Sequence, residues 1–180
     1  MEKQNIYQDI SARTGGEIYL GVVGPVRSGK STFIKRFMEL LVLPAIKDEN
    51  ERKRTMDELP QSGTGKIVMT TEPKFIPKEA AELPMEDMKI KIRLIDCVGF
   101  MIPGAGGNLE NGQERLVKTP WFDYEVPFTK AAEYGTRKVI RDHSTIGILV
   151  TADGSFGEIP RDSYVCLLYT SPSPRDPKTS

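Results

Sequence analysis

A lysine and a serine near the start of the chain have a spacing that suits phosphate chemistry. Residues 24–31, GPVRSGKS, fit the pattern G-x-x-x-x-G-K-[ST]. In this pattern backbone N–H groups point inward around a polyphosphate, the lysine reaches the β- and γ-phosphates and the hydroxyl ligates Mg²⁺. The pattern therefore predicts a nucleoside triphosphate site made by Gly24, Pro25, Val26, Arg27, Ser28, Gly29, Lys30, Ser31 and Thr32.

The chain on either side of this loop predicts the strand and the helix that such a loop requires. Glu17–Val23 is a short apolar run with β-branched residues, which indicates a buried strand. After the loop, apolar residues recur at helical spacing as far as Pro44, which should end the helix. The phosphates would then lie at a helix N-terminus, where free N–H groups favour an anion. The predicted apolar face consists of Ile34, Phe37, Met38, Leu41 and Val42.

A second group of candidate residues follows another predicted strand. In Met88–Ile95, Ile90, Ile92 and Leu94 alternate with charged residues, which predicts a strand with one wet face. This strand ends at Asp96, and Gly99 completes a D-x-x-G pattern. We expect Asp96 to hold Mg²⁺, through water, and the Gly99 N–H to contact the γ-phosphate.

Two threonines between these elements are candidates for a further role. Residues 67–71 read as a strand, and Thr70 and Thr71 precede Pro73. Either could complete the Mg²⁺ shell and sense the γ-phosphate. Because neighbouring strand residues face opposite ways, the geometry favours only one of them, and ordinary strand residues remain the alternative.

Two groups that often accompany these patterns are absent from the sequence. A glutamine that orients the attacking water often follows the D-x-x-G glycine, but Phe100 stands there and cannot hydrogen-bond to water. We therefore expect slow intrinsic hydrolysis. The guanine-reading [NT]-K-x-D pattern is also missing, so the residues do not decide between ATP and GTP.

Composition limits the surroundings in which the chain can work. The 180 residues carry 25 basic and 25 acidic side chains, so nothing suggests a nucleic-acid surface. The two cysteines have no metal-binding spacing and fit a reducing cytoplasm. No stretch is apolar for long enough to cross a bilayer, so direct membrane insertion is not expected.

The end of the chain differs from the rest. Residues 165–180 are rich in serine and proline and resemble translated sequencing-adapter DNA, so we expect a non-native tail there. The predicted domain is 1–164, an α/β P-loop NTPase of the GTPase-like (TRAFAC) class. It would have a mostly parallel sheet with helices on both faces. We expect it to be truncated, with the native protein continuing beyond Tyr164.

The segment between this site and the tail contains an aromatic cluster, a helix and a strand. The rings of Trp121, Phe122, Tyr124 and Phe128 either pack as a lid on the sheet or form a partner surface. We predict a helix over 129–141 and a further buried strand over 144–150.

Four motifs together resemble the stage IV sporulation protein A family of spore-coat morphogenetic ATPases. They are 24–31, 69–75 (MTTEPKF), 96–100 (DCVGF) and 119–123 (TPWFD), and the resemblance covers about residues 1–164. It implies that ATP hydrolysis drives self-assembly into a polymer, which coats the outer forespore surface in the mother-cell cytoplasm. It also implies partners, namely a small amphipathic membrane-anchor protein and the spore-coat proteins.

The resemblance also implies roles for residues at matched positions. Lys30 would serve nucleotide binding, Asp96 would serve Mg²⁺ and hydrolysis, and Thr70 and Thr71 would be sensors that couple hydrolysis to assembly. Two alternatives remain open. The first is a GTPase-type switch, and the second is a nucleotide-bound scaffold that assembles without turnover. A small-molecule kinase is less favoured, because no Arg-rich lid follows the loop.

Overall fold

The computed structural model describes residues 14–60, 71–85, 88–102, 108–110 and 112–151, which form a mixed α/β arrangement. The strands are β1 (Glu17–Val23), β2 (Lys74–Met85), β3 (Met88–Asp96), β4 (Leu109–Glu110), β5 (Gln113–Glu114), β6 (Leu116–Thr119), β7 (Phe122–Pro127) and β8 (Ile146–Leu149). The α-helices are α1 (Lys30–Phe37), α2 (Glu49–Asp57) and α3 (Phe128–Lys138). A π-helical turn, Met38–Val42, and a 3₁₀ turn, Leu43–Ala45, extend α1, and a π-helical turn, Val139–His143, extends α3.

The central sheet is mostly parallel, as the sequence predicts. Its strand order is β2–β3–β1–β8, in which β1 pairs in parallel with both β3 and β8 and only β2 is antiparallel to its neighbour. The register places Val22 of β1 opposite Asp96 of β3. The carboxyl ends of these two strands therefore meet at one edge, where ligands of open α/β sheets usually bind.

Helices cover both faces of this sheet, which confirms the second part of the prediction. On one face, Val22 belongs to a buried cluster that includes Ile34 of α1. On the other face, Val23 packs with Val139 in the turn that extends α3. The first cluster also contains the buried residues Ile18, Leu20, Met38, Val42, Ile90, Ile92 and Leu94.

The apolar face predicted for α1 is correct except at its end. Ile34, Met38 and Val42 are fully buried, but Leu41 is 55% exposed, so its assignment to the buried face was wrong. A π-helical turn has more residues per turn than an α-helix, which continues the buried face at four-residue spacing and leaves Leu41 outside. The helical run ends at Ala45, one residue beyond Pro44.

The last strand differs from its prediction in burial. β8 is shorter than the predicted 144–150, and Ile146 and Leu149 are exposed. The prediction of a buried strand was wrong because β8 lies at the edge of the described sheet. The predicted helix is present but begins at Phe128, and its π-helical extension reaches His143.

Some predictions lie outside the described residues. These are Thr70, most of the strand over 67–71, and the boundary between 164 and 165 together with the segment that follows it. Among the helices that are described, none is long and apolar enough to cross a membrane.

Candidate functional site

The loop between β1 and α1 closes around its own lysine. Lys30 is the first residue of α1 and is only 5% exposed. Its Nζ donates a hydrogen bond of 2.7 Å to the carbonyl oxygen of Pro25, and the Ser28 N–H donates to the same oxygen at 3.2 Å. The loop thus holds an ammonium group inside a turn, at the carboxyl edge of the sheet.

Asp96 lies within hydrogen-bond distance of this loop. The Ser31 hydroxyl donates to Oδ2 of Asp96 at 2.8 Å, because α1 begins beside the carboxyl end of β3. The other carboxylate oxygen, Oδ1, is buried and has no hydrogen-bond partner within the described ranges. The hydroxyl of Ser28 is likewise buried and unpartnered in that part of the chain. The site therefore contains acceptor capacity that the protein itself does not use.

Gly99 and Phe100 connect the D-x-x-G segment to the loop. The Phe100 N–H donates to the Gly24 carbonyl at 3.2 Å, and the Val26 N–H donates to the Phe100 carbonyl at 2.9 Å. A Cβ at Gly99 would collide with the Gly24 carbonyl and lie 2.5 Å from Lys30 Nζ. Only a residue without a side chain allows the two segments to approach this closely.

Burial shifts the two charged groups of the site toward their neutral forms. Burial lowers the pKa of Lys30, although the charge of Asp96 partly opposes this shift. Burial also raises the pKa of Asp96, against the hydrogen bond from Ser31 and the charge of Lys30. The neighbouring Cys97 thiol is buried, which raises its pKa to about 11 and keeps it protonated at neutral pH. Groups shifted in this way are frequent at functional sites.

These residues suit a magnesium ion bound together with phosphates. Mg²⁺ prefers oxygen ligands and is commonly held by one or two carboxylates plus substrate phosphates. The unpartnered Oδ1 of Asp96 and the oxygen of Ser31 are ligands of this kind. The described ranges contain no cluster of three or more His, Cys, Asp or Glu residues that could hold a metal ion.

The other predicted loop residues occupy the expected element but differ in exposure. Gly24, Pro25 and Val26 are buried, whereas Arg27, Gly29 and Thr32 are exposed. The Gly29 carbonyl accepts the Phe33 N–H at 2.9 Å and so begins the hydrogen bonding of α1.

Of the two candidate threonines, only Thr71 is described. It is 6% exposed and lies just before β2, whose first residue, Lys74, pairs with Asp96. The segment that carries Thr71 therefore approaches the edge of the sheet where Lys30 and Ser31 lie. The roles assigned to Thr70 and Thr71 stay predictions.

Two contacts of the site were not found from the sequence. The Phe100 ring is 3% exposed and packs with Val139 and Ile140, so it belongs to the core. Helix α3 also reaches the site, because the hydroxyl of Thr136 lies 3.9 Å from the sulfur of Cys97. The glycine inside α3, Gly135, was a signal that something packs closely against this helix.

Known proteins resemble nearly the whole chain. The family described as "Stage IV sporulation protein A, ATPase domain" matches residues 1–167. Proteins named stage IV sporulation protein A are 56% identical over 166 residues in Bacillus subtilis (strain 168) and 58% identical over 162 residues in Clostridioides difficile (strain 630). A protein of the same name in Bacillus anthracis is 55% identical over 166 residues.

These matches cover most of this chain but only about a third of each relative. They include 92%, 89% and 92% of this chain for the Bacillus subtilis, Clostridioides difficile and Bacillus anthracis proteins, but only 34%, 33% and 34% of those proteins. The chain thus spans about a third of the length of the curated relatives it matches. No solved structure shows a significant match. By its sequence, the chain belongs to the stage IV sporulation protein A family, in the region of that family's ATPase domain.

Proposed function

We propose that the chain binds ATP with Mg²⁺ and hydrolyses it slowly, as a P-loop NTPase of the GTPase-like (TRAFAC) class. The observation that carries this proposal is the convergence of Lys30, Ser31 and Asp96 at the carboxyl ends of two parallel strands. The family supports ATP as the nucleotide, since its matched region is described as an ATPase domain.

Each of these residues has a role in the proposed reaction. Lys30 would leave the Pro25 carbonyl and bind phosphate oxygens, so that its buried charge gains an anionic partner. Asp96 and Ser31 would hold Mg²⁺, which when bound neutralises charge on the phosphates. Gly99, packed against the loop, would present its N–H to the γ-phosphate. The protein's contribution is therefore positioning and electrostatic stabilisation of the transferring phosphoryl group.

The burial of Phe100 supports slow turnover. It is also the one observation that favours the alternative function, a nucleotide-bound scaffold. The ring is buried in the core, so this position provides no group that could orient a water molecule. A partner or a further residue would have to supply that group. If none does, the chain would act as a nucleotide-bound scaffold that assembles without hydrolysis.

We further propose a role for the longer protein of which the relatives are examples. ATP hydrolysis would drive self-assembly into a polymer that forms the basement layer of the spore coat. This polymer would coat the outer forespore surface from the mother-cell cytoplasm. A small amphipathic membrane protein would anchor it there, and coat proteins would assemble on it. The name shared by the relatives supports sporulation as the setting.

Competition between nucleotides tests the proposed activity. Unlabelled ATP and GTP are titrated, with Mg²⁺, against a fluorescent ATP analogue bound to the chain, and phosphate release is followed separately. We expect ATP to displace the analogue at lower concentration than GTP, and phosphate release to be slow. Stronger displacement by GTP would favour a GTPase-type switch instead, and tight ATP binding with no phosphate release would favour the scaffold.

A further inference from the structure

Helix α3 touches both chain segments that flank the candidate site. Through Thr136 it contacts Cys97, which directly follows Asp96. One residue earlier, Gly135 faces the segment that leads into β2, and the backbone carbonyl of Thr71 lies where a side chain of residue 135 would be. α3 is therefore a shared support for the Asp96 segment and the Thr71 segment.

The contact at Gly135 leaves no room for even one methyl group. A Cβ built there would lie 2.8 Å from the Thr71 carbonyl oxygen and 3.0 Å from an edge carbon of the Trp121 ring. The ring is the end of a side chain, but the carbonyl is backbone and cannot move without shifting Thr71. Gly135 is itself buried. A glycine inside a helix costs stability relative to alanine, so the close contact with Thr71 gives a physical reason for a glycine at this position.

The Trp121 ring also lies beside Gly135, next to the Thr71 carbonyl. It also packs against Tyr134 of α3, with ring centroids 5.4 Å apart. Two rings of the predicted aromatic cluster therefore pack on α3, since Phe122 also lies 5.0 Å from the Tyr134 ring. Tyr124 is 61% exposed, and Phe128 is the first residue of α3 itself.

Two contacts therefore fix the segment that carries Thr71. Just after Thr71, Lys74 pairs with Asp96 in the sheet, and the Thr71 carbonyl itself lies beside Gly135 and near the Trp121 ring.

We infer that Gly135 is a positioning residue of the nucleotide site, an inference that rests on the function proposed above and on the predicted γ-phosphate role of Thr71. Its missing side chain lets the Thr71 backbone lie against α3, which fixes where the Thr71 segment passes Asp96. A methyl group at residue 135 displaces this segment while leaving Lys30, Ser31 and Asp96 in place. Binding of the part of the nucleotide held by the loop is then retained, whereas recognition of the γ-phosphate is weakened.

The variant Gly135→Ala tests this role, with Gly147→Ala as the matched control. A Cβ at Gly147 meets nothing within 4 Å, so the control adds the same methyl group in open space. Affinities for ADP and for a non-hydrolysable ATP analogue, each with Mg²⁺, are measured for both variants and wild type. We expect Gly135→Ala to bind ADP as wild type does but to lose about tenfold or more of its preference for the triphosphate. An unchanged preference in Gly135→Ala would overturn the inference.

A double variant separates the two contacts of Gly135. In Gly135→Ala/Trp121→Phe the smaller ring relieves the clash with the aromatic edge but not the clash with the Thr71 carbonyl. We expect the double variant to keep the defect of Gly135→Ala. Recovery of the wild-type preference would mean that residue 135 acts through the ring and not through Thr71, which contradicts the proposed role.

A third measurement uses the wild-type chain and does not depend on any variant folding. Trp121 is the single tryptophan of the sequence, so intrinsic tryptophan fluorescence reports on this contact alone. We expect the ATP analogue and ADP to give different emission, because only the former engages the Thr71 segment. Identical emission with both nucleotides bound would overturn the positioning role. Failure of the wild type to bind either nucleotide would instead overturn the proposed function, so the two failures are distinguishable.

Discussion

Lys30 with Asp96, and Lys138 with Asp142, bring the same two residue types together in different surroundings. Lys138 and Asp142 are four residues apart along α3 and its extension, and their side chains, 31% and 48% exposed, form a surface ion pair of 2.9 Å. Their hydrogen bond raises the pKa of Lys138 and lowers that of Asp142, so each group favours the charge of the other. At the candidate site burial shifts both pKa values in the opposite directions.

This difference shows that environment, and not residue type, decides what a charged pair does. The exposed pair is satisfied and needs no ligand. The pair at the site lies where burial favours the neutral forms, and one carboxylate oxygen lacks a partner among the described residues. A bound magnesium–triphosphate would give both groups a partner of opposite charge.

Removing the buried lysine should have the largest effect. In Lys30→Ala the phosphates lose a charge-assisted contact worth about 1.5–3 kcal/mol, which corresponds to roughly 10- to 150-fold weaker ATP binding. Competition against a fluorescent ATP analogue measures this change. The matched control, Lys138→Ala, removes the exposed lysine and should bind ATP as wild type does. Equal affinities for both variants would remove the distinction between the two pairs.

The two aspartates should respond to pH with opposite signs. Because the pKa of Asp96 is raised, the folded protein takes up its proton at higher pH than the unfolded chain does. The stability of wild type relative to Asp96→Asn should therefore rise as the pH falls from 7 toward the ordinary value of 3.8, and be lost again as the pH rises through the raised pKa.

For Asp142 the pKa is lowered, so its contribution is present above 3.8 and is lost as the pH falls through the lowered value. Wild type should thus lose stability relative to Asp142→Asn as the medium is acidified. Urea unfolding of the three proteins at a series of pH values measures both trends. Parallel trends for the two variants would show that burial does not dominate at Asp96.

The smallest effect should come from breaking the exposed pair at neutral pH. Solvent screens this interaction, and two long side chains lose freedom when they form it. Asp142→Ala should therefore lower the urea midpoint of unfolding only slightly. A large fall in the midpoint would show that the pair supports α3, on which both Cys97 and Thr71 rest.

The sequence predicted those parts of the fold that depend on local pattern. The bounds of β1 and the alternation along β3 were correct, because period two and burial are visible in a single strand. The convergence of Lys30 and Ser31 with Asp96 was also foreseeable. Once two predicted strands are parallel neighbours, the residues that follow them lie at one edge.

The errors and omissions came from features that depend on the whole fold. The exposure of Leu41 results from a π-helical turn, which nothing in the local pattern indicates. The exposure of β8 follows from its place in the strand order, and residues far apart in the chain determine that order. The contact of Gly135 with Thr71 joins residues that are more than sixty positions apart. A glycine inside a helix signals such an approach without naming the partner.

Calorimetric titration of ATP into the 180-residue chain tests the central claim most directly. The claim is that Lys30 and Asp96 together bind one magnesium–triphosphate. We predict saturable uptake of one ATP per chain in the presence of Mg²⁺, much weaker uptake when the metal is chelated, and uptake weakened roughly 10- to 150-fold in Lys30→Ala. Folded wild-type protein that takes up neither ATP nor GTP, with or without Mg²⁺, would contradict it.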